Sequence, residues 1–297
     1  IRASLRSVPG VVSVRVVAYS ATAVHGPQGA ASVNHSQGKT LLIGAGEVGR
    51  RLAGALERAG WGRVTVSRES GWDVAERASD EAPRLIGVRE HDLAAVLERL
   101  SQIPRERLIL VQNGFLEAVH GDLGPVTRGL IWFTSKGDFF AELTPSLFFG
   151  PLAVTLASAL SSGALRAAAI DEREEFLRQM ILKGVWNAVV GLPLAVHGVD
   201  LGTYLESHAE ELHALTGESA AAASAHYGVS VSGEQALACL RETTTPIHWV
   251  RGGAKALAWR NGALARFGRA HGVATPVNDR LLRAVGYDPD DPPPPGP

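Results

Sequence analysis

A glycine-rich turn is the first part of the sequence with residue types and spacing suited to chemistry. It consists of Gly44, Ala45, Gly46, Glu47, Val48 and Gly49 and fits the pattern G-x-G-x-x-G. Glycines at these positions permit a tight turn, close approach of the backbone to a pyrophosphate, and packing of a helix against its strand. The alternative is a purely structural turn. The motif lies between a predicted strand and a predicted amphipathic helix, however, and the helix N-terminus would face the phosphates, so we predict dinucleotide binding by these residues.

The tip of the next predicted strand indicates which nucleotide would bind. It ends at Ser67 and Arg68, without the carboxylate that NAD-selective proteins place against the adenosine ribose hydroxyls. Both residues could instead bind a 2′-phosphate. Glu69 follows directly, so Arg68 could also pair with a neighbouring acid or with solvent. We predict NADPH rather than NADH as the cofactor.

Two polar side chains farther along the chain are spaced to meet one small molecule. Lys183 and Asn187 are four residues apart in a stretch with helical periodicity, so they project from the same face of a helix. A lysine ammonium in a partly buried cleft can stabilise the negative oxygen that forms when a ketone accepts hydride, and can then protonate it. Desolvation would lower the pKa of that lysine toward the working pH. From the spacing alone, a solvated helix lysine is the simpler interpretation.

Further motifs complete a family resemblance. They are Gln112-Asn113-Gly114 after a buried strand, Lys183-x-x-x-Asn187 at the start of a helical half, and Trp259-Arg260-Asn261-Gly262, which we place on a late helix. With the glycine turn, their order and spacing resembles the ketopantoate reductase family over roughly residues 39–286. The resemblance implies an α/β Rossmann domain, which is a doubly wound parallel sheet, followed by an all-helical C-terminal domain. It also implies NADPH-dependent reduction of a 2-oxo acid between the two domains, and a possible homodimer.

The resemblance assigns substrate-side roles to four positions. Lys183 lies where the family has its general acid, and Asn187 lies where an asparagine orients the substrate. Thr244 falls where a serine binds the substrate carboxylate, although the threonines before Pro246 also look like an ordinary helix lead-in. Asn261 of the late motif is the remaining predicted substrate contact.

Two further positions are predicted to contact the cofactor. Asn113 follows the carboxyl end of a strand, the edge where α/β sheets bind ligands, and its amide can donate and accept hydrogen bonds. Its alternative is a turn asparagine before Gly114. Arg89 occupies the place of a cofactor-side lysine in the family, so the charge is kept while the guanidinium is larger and forked.

The sequence departs from the family at two polar positions. The acidic residue that contacts substrate aligns with Ala256, and a second asparagine, four residues past Asn187, aligns with Gly191. A polar site that loses hydrogen-bonding partners discriminates its former substrate poorly. We therefore expect a different, less polar carbonyl substrate and poor ketopantoate reduction. The alternative is a non-catalytic NADPH-binding protein of the same fold.

Hydrophobic periodicity supplies the elements that must position these residues. The predicted strands are Thr40 to Ile43, Arg63 to Ser67, Leu85 to Val88 and Leu108 to Val111, and they alternate with helical patterns. The predicted later helices are Phe176 to Val190, Tyr204 to Tyr227, Gly233 to Arg241 and Lys255 to His271. We place the Rossmann domain at residues 39–168 and the helical domain, for substrate binding and dimerisation, at 169–287.

Composition limits the partners. The chain has 297 residues, 29 Lys plus Arg, 30 Asp plus Glu and a formal net charge of −1, which argues against nucleic acid or an anionic membrane surface as main partner. Every hydrophobic stretch is interrupted before the roughly 18 apolar residues of a spanning helix. Cys239 is the one cysteine, so intramolecular disulfides are excluded and a reducing compartment, the cytoplasm, is expected.

The two ends are set apart. Glu47 is the first acidic residue, and the arginines among Ser, Ala and Val before it give residues 1–38 the bias of an organelle transit peptide, with a plain disordered leader as the equal alternative. A transit peptide would place the protein in a chloroplast or mitochondrion. Asp288 to Pro297 reads as a solvated polyproline tail.

Other chemistry lacks support. His208 and His213 would lie about 140° apart around a helix, so a solvated face is favoured over a metal site. The sequence contains neither a G-x-S-x-G elbow nor a Walker loop, which removes support for serine hydrolases and P-loop enzymes. Trp186 and Trp259 adjoin motif residues and could line the cleft, although core packing is the commoner role.

Overall fold

The computed structural model of the protein describes residues 39–68, 70–76 and 81–291. The predicted leader, Glu69 and residues 292–297 lie outside the described residues. The strands are β1 Lys39–Ile43, β2 Gly62–Val66, β3 Arg84–Ile86, β4 Leu108–Leu110, β5 Thr127–Leu130, β6 Phe133–Lys136, β7 Phe139–Glu142, β8 Ser146–Phe149 and β9 Ala167–Ala169. The helices are α1 Glu47–Arg58, α2 Asp73–Glu76, α3 Leu93–Arg99, α4 Glu117–His120, α5 Ala153–Ser162, α6 Arg173–Val189, α7 Leu192–His197, α8 Leu201–Ser207, α9 Ala209–Tyr227, α10 Gly233–Thr244, α11 Asn261–His271 and α12 Pro276–Ala284.

A seven-stranded sheet forms the first half in the order β2-β1-β3-β4-β5-β8-β9. The five strands from β2 to β5 are parallel, β8 pairs antiparallel with β5, and β9 is parallel to β8. The chain passes from β1 to β2 on one side and then returns to β3 on the other. Ligands of doubly wound sheets bind at such a switch point, outside the carboxyl ends of the strands.

Apolar side chains on both faces hold β1 in the middle of this sheet. Leu42 packs with Leu52 and Leu56 of α1 on one face, whereas Leu41 and Ile43 pack with α3 on the other. Successive strand residues point to opposite faces, so a continuous apolar run suits a strand covered by helices on both sides. The end of β1 is therefore fixed between two helical layers, and the glycine turn begins there.

The second half is helical and is organised around α6 and α9. Helix α9 packs against α6, α10, α11 and α12, and α6 also contacts β5. Residues 173–197, which include α6 and α7, are long and apolar enough to cross a membrane by length and composition. However, 67% of an apolar 18-residue window within them is buried inside the protein, as in the core helix of a globular domain. The helix that carries Lys183 and Asn187 is thus a core helix that lies against the sheet.

The fold class predicted from the sequence is confirmed, and the four predicted strands correspond to β1 to β4 with small shifts at their ends. Two helix predictions need correction. The helix predicted from Tyr204 to Tyr227 is interrupted at His208, where the chain divides into α8 and α9. The helix predicted from Lys255 begins only at Asn261, because Ala256 has a positive φ of 50° and a short 3-10 turn follows it.

The tail prediction also changes. Asp290 forms ion pairs with Arg269 of α11 and Arg283 of α12, so the chain is held against the helical region up to Asp290 instead of being solvated from Asp288 onward.

Candidate functional site

A small recess lies where the sheet meets α6. Its sheet-side wall consists of Gln112, Asn113 and Gly114 after β4 and of Gly129 and Leu130 from β5. Its other wall consists of Met180, Lys183, Gly184 and Asn187 from α6. The volume is about 10 Å³, which is room for about one water molecule. The structure therefore brings the predicted general acid, one predicted substrate contact and the predicted cofactor contact Asn113 to a single space.

Both walls carry buried polar atoms without partners. Asn187 Nδ2 and Gln112 Oε1 have no hydrogen-bond partner among the described residues. Gln112 is oriented from its other end, because Nε2 donates to the carbonyls of Ile86 at 2.8 Å and Val88 at 3.1 Å. Buried polar groups are nearly always satisfied in folded proteins, so an amide donor and an amide acceptor on facing walls indicate a position for a polar ligand.

Two indole rings surround the end of Lys183. Its Nζ lies 3.8 Å from the ring centroid of Trp186 and 4.1 Å from that of Trp132. The two rings meet edge to face at 75°, and Trp186 Nε1 donates to Thr243 Oγ1 at 2.9 Å. Within the described part of the chain, Nζ forms no hydrogen bond or ion pair. The ammonium is thus held by aromatic faces and keeps its hydrogen-bonding capacity for a ligand.

Burial changes the acidity of this lysine. Lys183 is only 5 % exposed, and desolvation lowers the pKa of its ammonium from 10.5 to about 7. The nearby Cys239 thiol acts in the opposite direction, and the Arg260 guanidinium lowers the pKa further. The aromatic faces favour the charged form, but removal from water outweighs them. A lysine with this pKa can give up a proton near neutral pH, as a general acid must.

The glycine turn forms a tightly packed cradle in which two positions leave no room for a side chain. Gly44 follows β1 with a φ of 90°, and a Cβ there would lie 2.8 Å from the Val88 nitrogen. A Cβ on Gly49 would lie 2.7 Å from the Gly44 carbonyl oxygen. Gly46 is exposed and caps α1 without a side-chain hydrogen bond, so the first amides of that helix remain available to an anion. These features fit a dinucleotide pyrophosphate.

Other members of the turn fit this arrangement. Ala45 and Val48 are half-buried beside the cradle. Glu47 would repel a phosphate if its carboxylate faced the helix N-terminus, but Arg50 and Ser135 hold the two carboxylate oxygens at 3.0 and 3.1 Å. The acid therefore connects α1 to the β6–β7 hairpin.

The two predicted cofactor arginines are exposed at the carboxyl edge of the sheet. Arg68 follows β2, and Arg89 follows β3. No described acid forms an ion pair with either guanidinium, whereas Glu69, the alternative partner of Arg68, lies outside the described ranges. Beside Arg68, the Ser70 hydroxyl accepts from the Ser67 amide at 2.8 Å and donates to the Thr65 carbonyl at 3.0 Å, which fixes the turn that presents it.

Two predicted substrate contacts do not line the recess. Thr244 is fully buried as the last residue of α10, and its hydroxyl donates to the Leu240 carbonyl at 2.7 Å. Asn261 donates to Asn278 Oδ1 at 2.9 Å, and the Asn278 amide returns a bond of the same length to the Asn261 carbonyl. Thr244 ends α10 and also precedes a short 3-10 helix, Thr245–Ile247, as the helix lead-in alternative expected. The Asn261 amide joins two helix starts. The geometry does not support substrate contact by either residue.

The segment that precedes Ala256 packs against Gly191. A Cβ on Gly252 would lie 2.3 Å from the Gly191 carbonyl oxygen, so Gly252 leaves no room for a side chain. A Cβ on Gly191 itself would lie 3.1 Å from the Asn187 carbonyl oxygen and 3.5 Å from that of Gly253. A side chain at 191 would therefore require only a small shift of its neighbours.

Sequence reasoning missed three residues of this site. Trp132 and Gln112 border the lysine and the recess, and Thr243 orients Trp186. Trp132 follows β5, a strand that was not predicted, so nothing in the sequence indicated that it lies beside Lys183. Gln112 lay within the quoted Gln-Asn-Gly motif, and its place directly after a buried strand could have identified it.

Comparison with known proteins places this geometry in a structural context. No protein-family model matches the sequence, and no curated protein matches it significantly. Among solved structures, the chain is similar to a PanE/ApbA family ketopantoate reductase from Ralstonia eutropha, with 18% identity and a TM-score of 0.65 over 83% of this chain and 97% of that one. It is also similar to D-mandelate dehydrogenase in a ternary structure with NADH and anilino(oxo)acetate, with 16% identity and a TM-score of 0.66 over 83% of this chain and 97% of that one.

A third similar structure is dimeric ketopantoate reductase from Staphylococcus aureus, with 16% identity and a TM-score of 0.65 over 83% of this chain and 98% of that one. The resemblance drawn from the sequence is confirmed at the level of the fold, in which a Rossmann-type sheet precedes a helical region. At these identities the likeness concerns the fold.

Proposed function

We propose that the protein reduces the carbonyl group of a 2-oxo acid or related ketone to an alcohol with NADPH. The observation that carries this proposal is the recess lined by Lys183, Asn187 and Gln112, of which Asn187 Nδ2 and Gln112 Oε1 are buried without a hydrogen-bond partner among the described residues. An ammonium of lowered pKa beside an unpaired amide donor suits an oxygen atom that becomes an alkoxide and then takes a proton. The cradle at Gly44 lies at the same carboxyl edge of the sheet, since β1 and β4 are parallel.

The residues then have distinct tasks. NADPH supplies the hydride to the carbonyl carbon. Lys183 stabilises the carbonyl oxygen, transfers its proton to that oxygen and recovers a proton from solvent, while Asn187 donates a hydrogen bond that orients the substrate. The uncapped amides of α1 bind the pyrophosphate, Asn113 contacts the nicotinamide side, and Arg68 recognises the 2′-phosphate. Because the recess holds about one water molecule, substrate binding requires its walls to move apart.

The substrate is expected to be less polar than ketopantoate. Ala256 and Gly191 replace two polar groups, and Trp132 and Trp186 supply apolar surface beside Lys183. Among the similar structures, D-mandelate dehydrogenase carries an aryl-substituted oxoacetate. One similar reductase is dimeric, and a homodimer stays a prediction for this chain.

The direct test measures NADPH oxidation by the purified protein with a panel of 2-oxo acids and neutral ketones. We expect turnover of at least one apolar 2-oxo acid, slow turnover of ketopantoate, and tighter binding of NADPH than of NADH by fluorescence titration. A Gly46→Val variant is the matched control, because a Cβ there meets only the Gly87 carbonyl oxygen at 3.6 Å, while its side chain lies at the N-terminus of α1 and should weaken nucleotide binding. Tight NADPH binding without turnover across the panel would favour the alternative, a non-catalytic NADPH-binding protein.

The pH dependence follows from the lysine. The protonated form of Lys183 is the active acid, and its pKa is about 7, so kcat/KM for reduction should be level below that pH. Above it, the rate should fall about tenfold per pH unit as the ammonium is lost. The reverse oxidation needs the neutral amine and should show the opposite slope. A reduction rate that stays level to pH 10 would contradict this assignment.

A further inference from the structure

Arg260 is a cation at the junction of sheet and helices that has too few partners. It lies in the turn between the 3-10 helix Leu257–Trp259 and α11. Its Nη2 reaches Glu90 Oε1 at 3.5 Å, and its Nε is buried without a hydrogen-bond partner among the described residues. A guanidinium has five N–H donors, so most of its hydrogen-bonding capacity is unused.

The turn that carries Arg260 forms the back of the recess wall. The Trp259 carbonyl accepts a hydrogen bond from the Phe115 amide at 2.7 Å. A Cβ on Gly114, which lines the recess, would lie 2.3 Å from that same carbonyl oxygen. Residue 260 therefore follows directly after a backbone contact with the recess wall. Its charge is also felt by Lys183, whose acidity it increases.

A neighbouring arginine shows how a structural guanidinium differs. Arg266 on α11 donates to the Ala258 carbonyl at 2.6 Å and approaches the Tyr287 hydroxyl at 3.5 Å. Arg260, in contrast, has only the carboxylate of Glu90 as a side-chain partner in the described part of the chain, at the limit of hydrogen-bonding distance. Both side chains of that pair are mostly buried, with 18% and 15% exposure. A buried guanidinium that makes one long contact can gain hydrogen bonds by binding a better-placed anion in place of Glu90.

We propose that Arg260 binds the carboxylate of the substrate and that Glu90 holds the guanidinium until the substrate arrives. This inference rests on the proposed function and deepens it, because it specifies a carboxylate beside the reducible carbonyl. In a 2-oxo acid the two groups are on adjacent carbon atoms, so the carboxylate needs a cation near Lys183. The Thr244 hydroxyl cannot serve, since it is bonded within α10. Arginine binds carboxylates through two parallel N–H donors, which also fixes the face presented to the cofactor.

The test uses oxalate, a dianion that resembles a 2-oxo acid and cannot be reduced, titrated calorimetrically into the protein saturated with NADP⁺. Arg260→Gln should weaken oxalate binding by about 10- to 100-fold. Glu90→Gln keeps the shape of its side chain but releases the guanidinium, so it should tighten oxalate binding by about 3- to 10-fold. The double variant should bind like Arg260→Gln, because Glu90 acts only through the arginine.

The matched control is Arg241→Gln, which removes an exposed cation from α10 and should leave oxalate binding unchanged. In kinetics, Arg260→Gln should raise KM for a 2-oxo acid while leaving kcat and KM for its methyl ester unchanged. Equal oxalate binding by wild type and Arg260→Gln would overturn the inference. Loss of NADP⁺ affinity without loss of oxalate affinity would overturn it too, because it would assign the guanidinium to the cofactor.

The two proposals can fail separately. A wild type that reduces neutral ketones but binds no oxalate would retain the proposed reductase function and overturn the carboxylate site. A wild type that binds oxalate through Arg260 but reduces nothing would retain the carboxylate site and overturn the proposed reductase function.

Discussion

Replacement of Lys183 by methionine is expected to lower kcat for carbonyl reduction by about 10²- to 10⁴-fold, the usual contribution of a positioned general acid. The thioether has similar length and suits the apolar faces of Trp132 and Trp186, so the fold should persist. NADPH affinity should be unchanged, since the cradle at Gly44 is on another element. Stopped-flow measurement of a single turnover reports the chemical step directly. Lys136→Met, at an exposed position on β6, is the matched control and should retain full activity.

Lys183→Met should also change how the free energy of unfolding depends on pH. The pKa of Lys183 is about 7 in the folded protein, below its unfolded value of 10.5, so the unfolded chain binds more protons between those pH values. The free energy of unfolding of the wild type should therefore rise with pH across that window, and Lys183→Met should lack this contribution. Replacing a buried ammonium by an apolar group should also stabilise the fold near pH 7. For the catalytic prediction, a normal kcat of the Lys183→Met variant would refute the proposed role of Lys183 as the general acid.

Replacement of Gly114 by alanine is expected to destabilise the protein by about 2–5 kcal/mol. The backbone there has a φ of 89°, where an L side chain costs about 1–2 kcal/mol, and the added Cβ would overlap the Trp259 carbonyl oxygen, with overpacking worth about 1–3 kcal/mol. The clash separates the recess wall from the turn of Arg260, so activity should fall together with stability. Chemical denaturation gives the free energy of unfolding.

A second glycine separates the two contributions. Gly228 has a φ of 67° and a ψ of 24°, in the left-handed α region, and no heavy atom lies within 4 Å of a Cβ placed there. Gly228→Ala should therefore show the backbone cost alone, about 1–2 kcal/mol. If Gly114→Ala were no more destabilising than Gly228→Ala, the turn at Trp259 would not be packed as tightly as the structure shows.

Local patterns predicted the parts of the site that depend on one element. The spacing of Lys183 and Asn187 sufficed to put both on one helix face, because helical period is a local property, and the alternation of strands and helices sufficed for the parallel sheet. The position of Asn113 followed from the rule that ligands meet the carboxyl ends of parallel strands. The structure places all three at one recess.

Local patterns could not predict the positions of residues whose contacts come from distant parts of the chain. The sequence of β5, Thr-Arg-Gly-Leu, has no apolar run that would identify it as a buried strand. Arg128 can be buried there because it pairs with Glu117 of α4. Without that strand, Trp132 could not be placed beside Lys183. Thr244 differs from its expected place for another reason: its hydroxyl donates to the carbonyl one turn earlier, which a residue pattern does not distinguish from a free hydroxyl, and its role stays a prediction.

The close approach of Gly252 to Gly191 has a consequence for redesign of this site. A Cβ on Gly252 would lie 2.3 Å from the Gly191 carbonyl oxygen and 2.7 Å from the Leu194 Cβ, whereas a Cβ on Gly191 would lie 3.1 Å from the Asn187 carbonyl oxygen and 3.5 Å from that of Gly253. A polar side chain engineered at 191 is therefore expected to be accommodated by a small shift, whereas one at 252 should disrupt the packing. A mutational library of this region should accordingly vary residue 191 and keep glycine at 252.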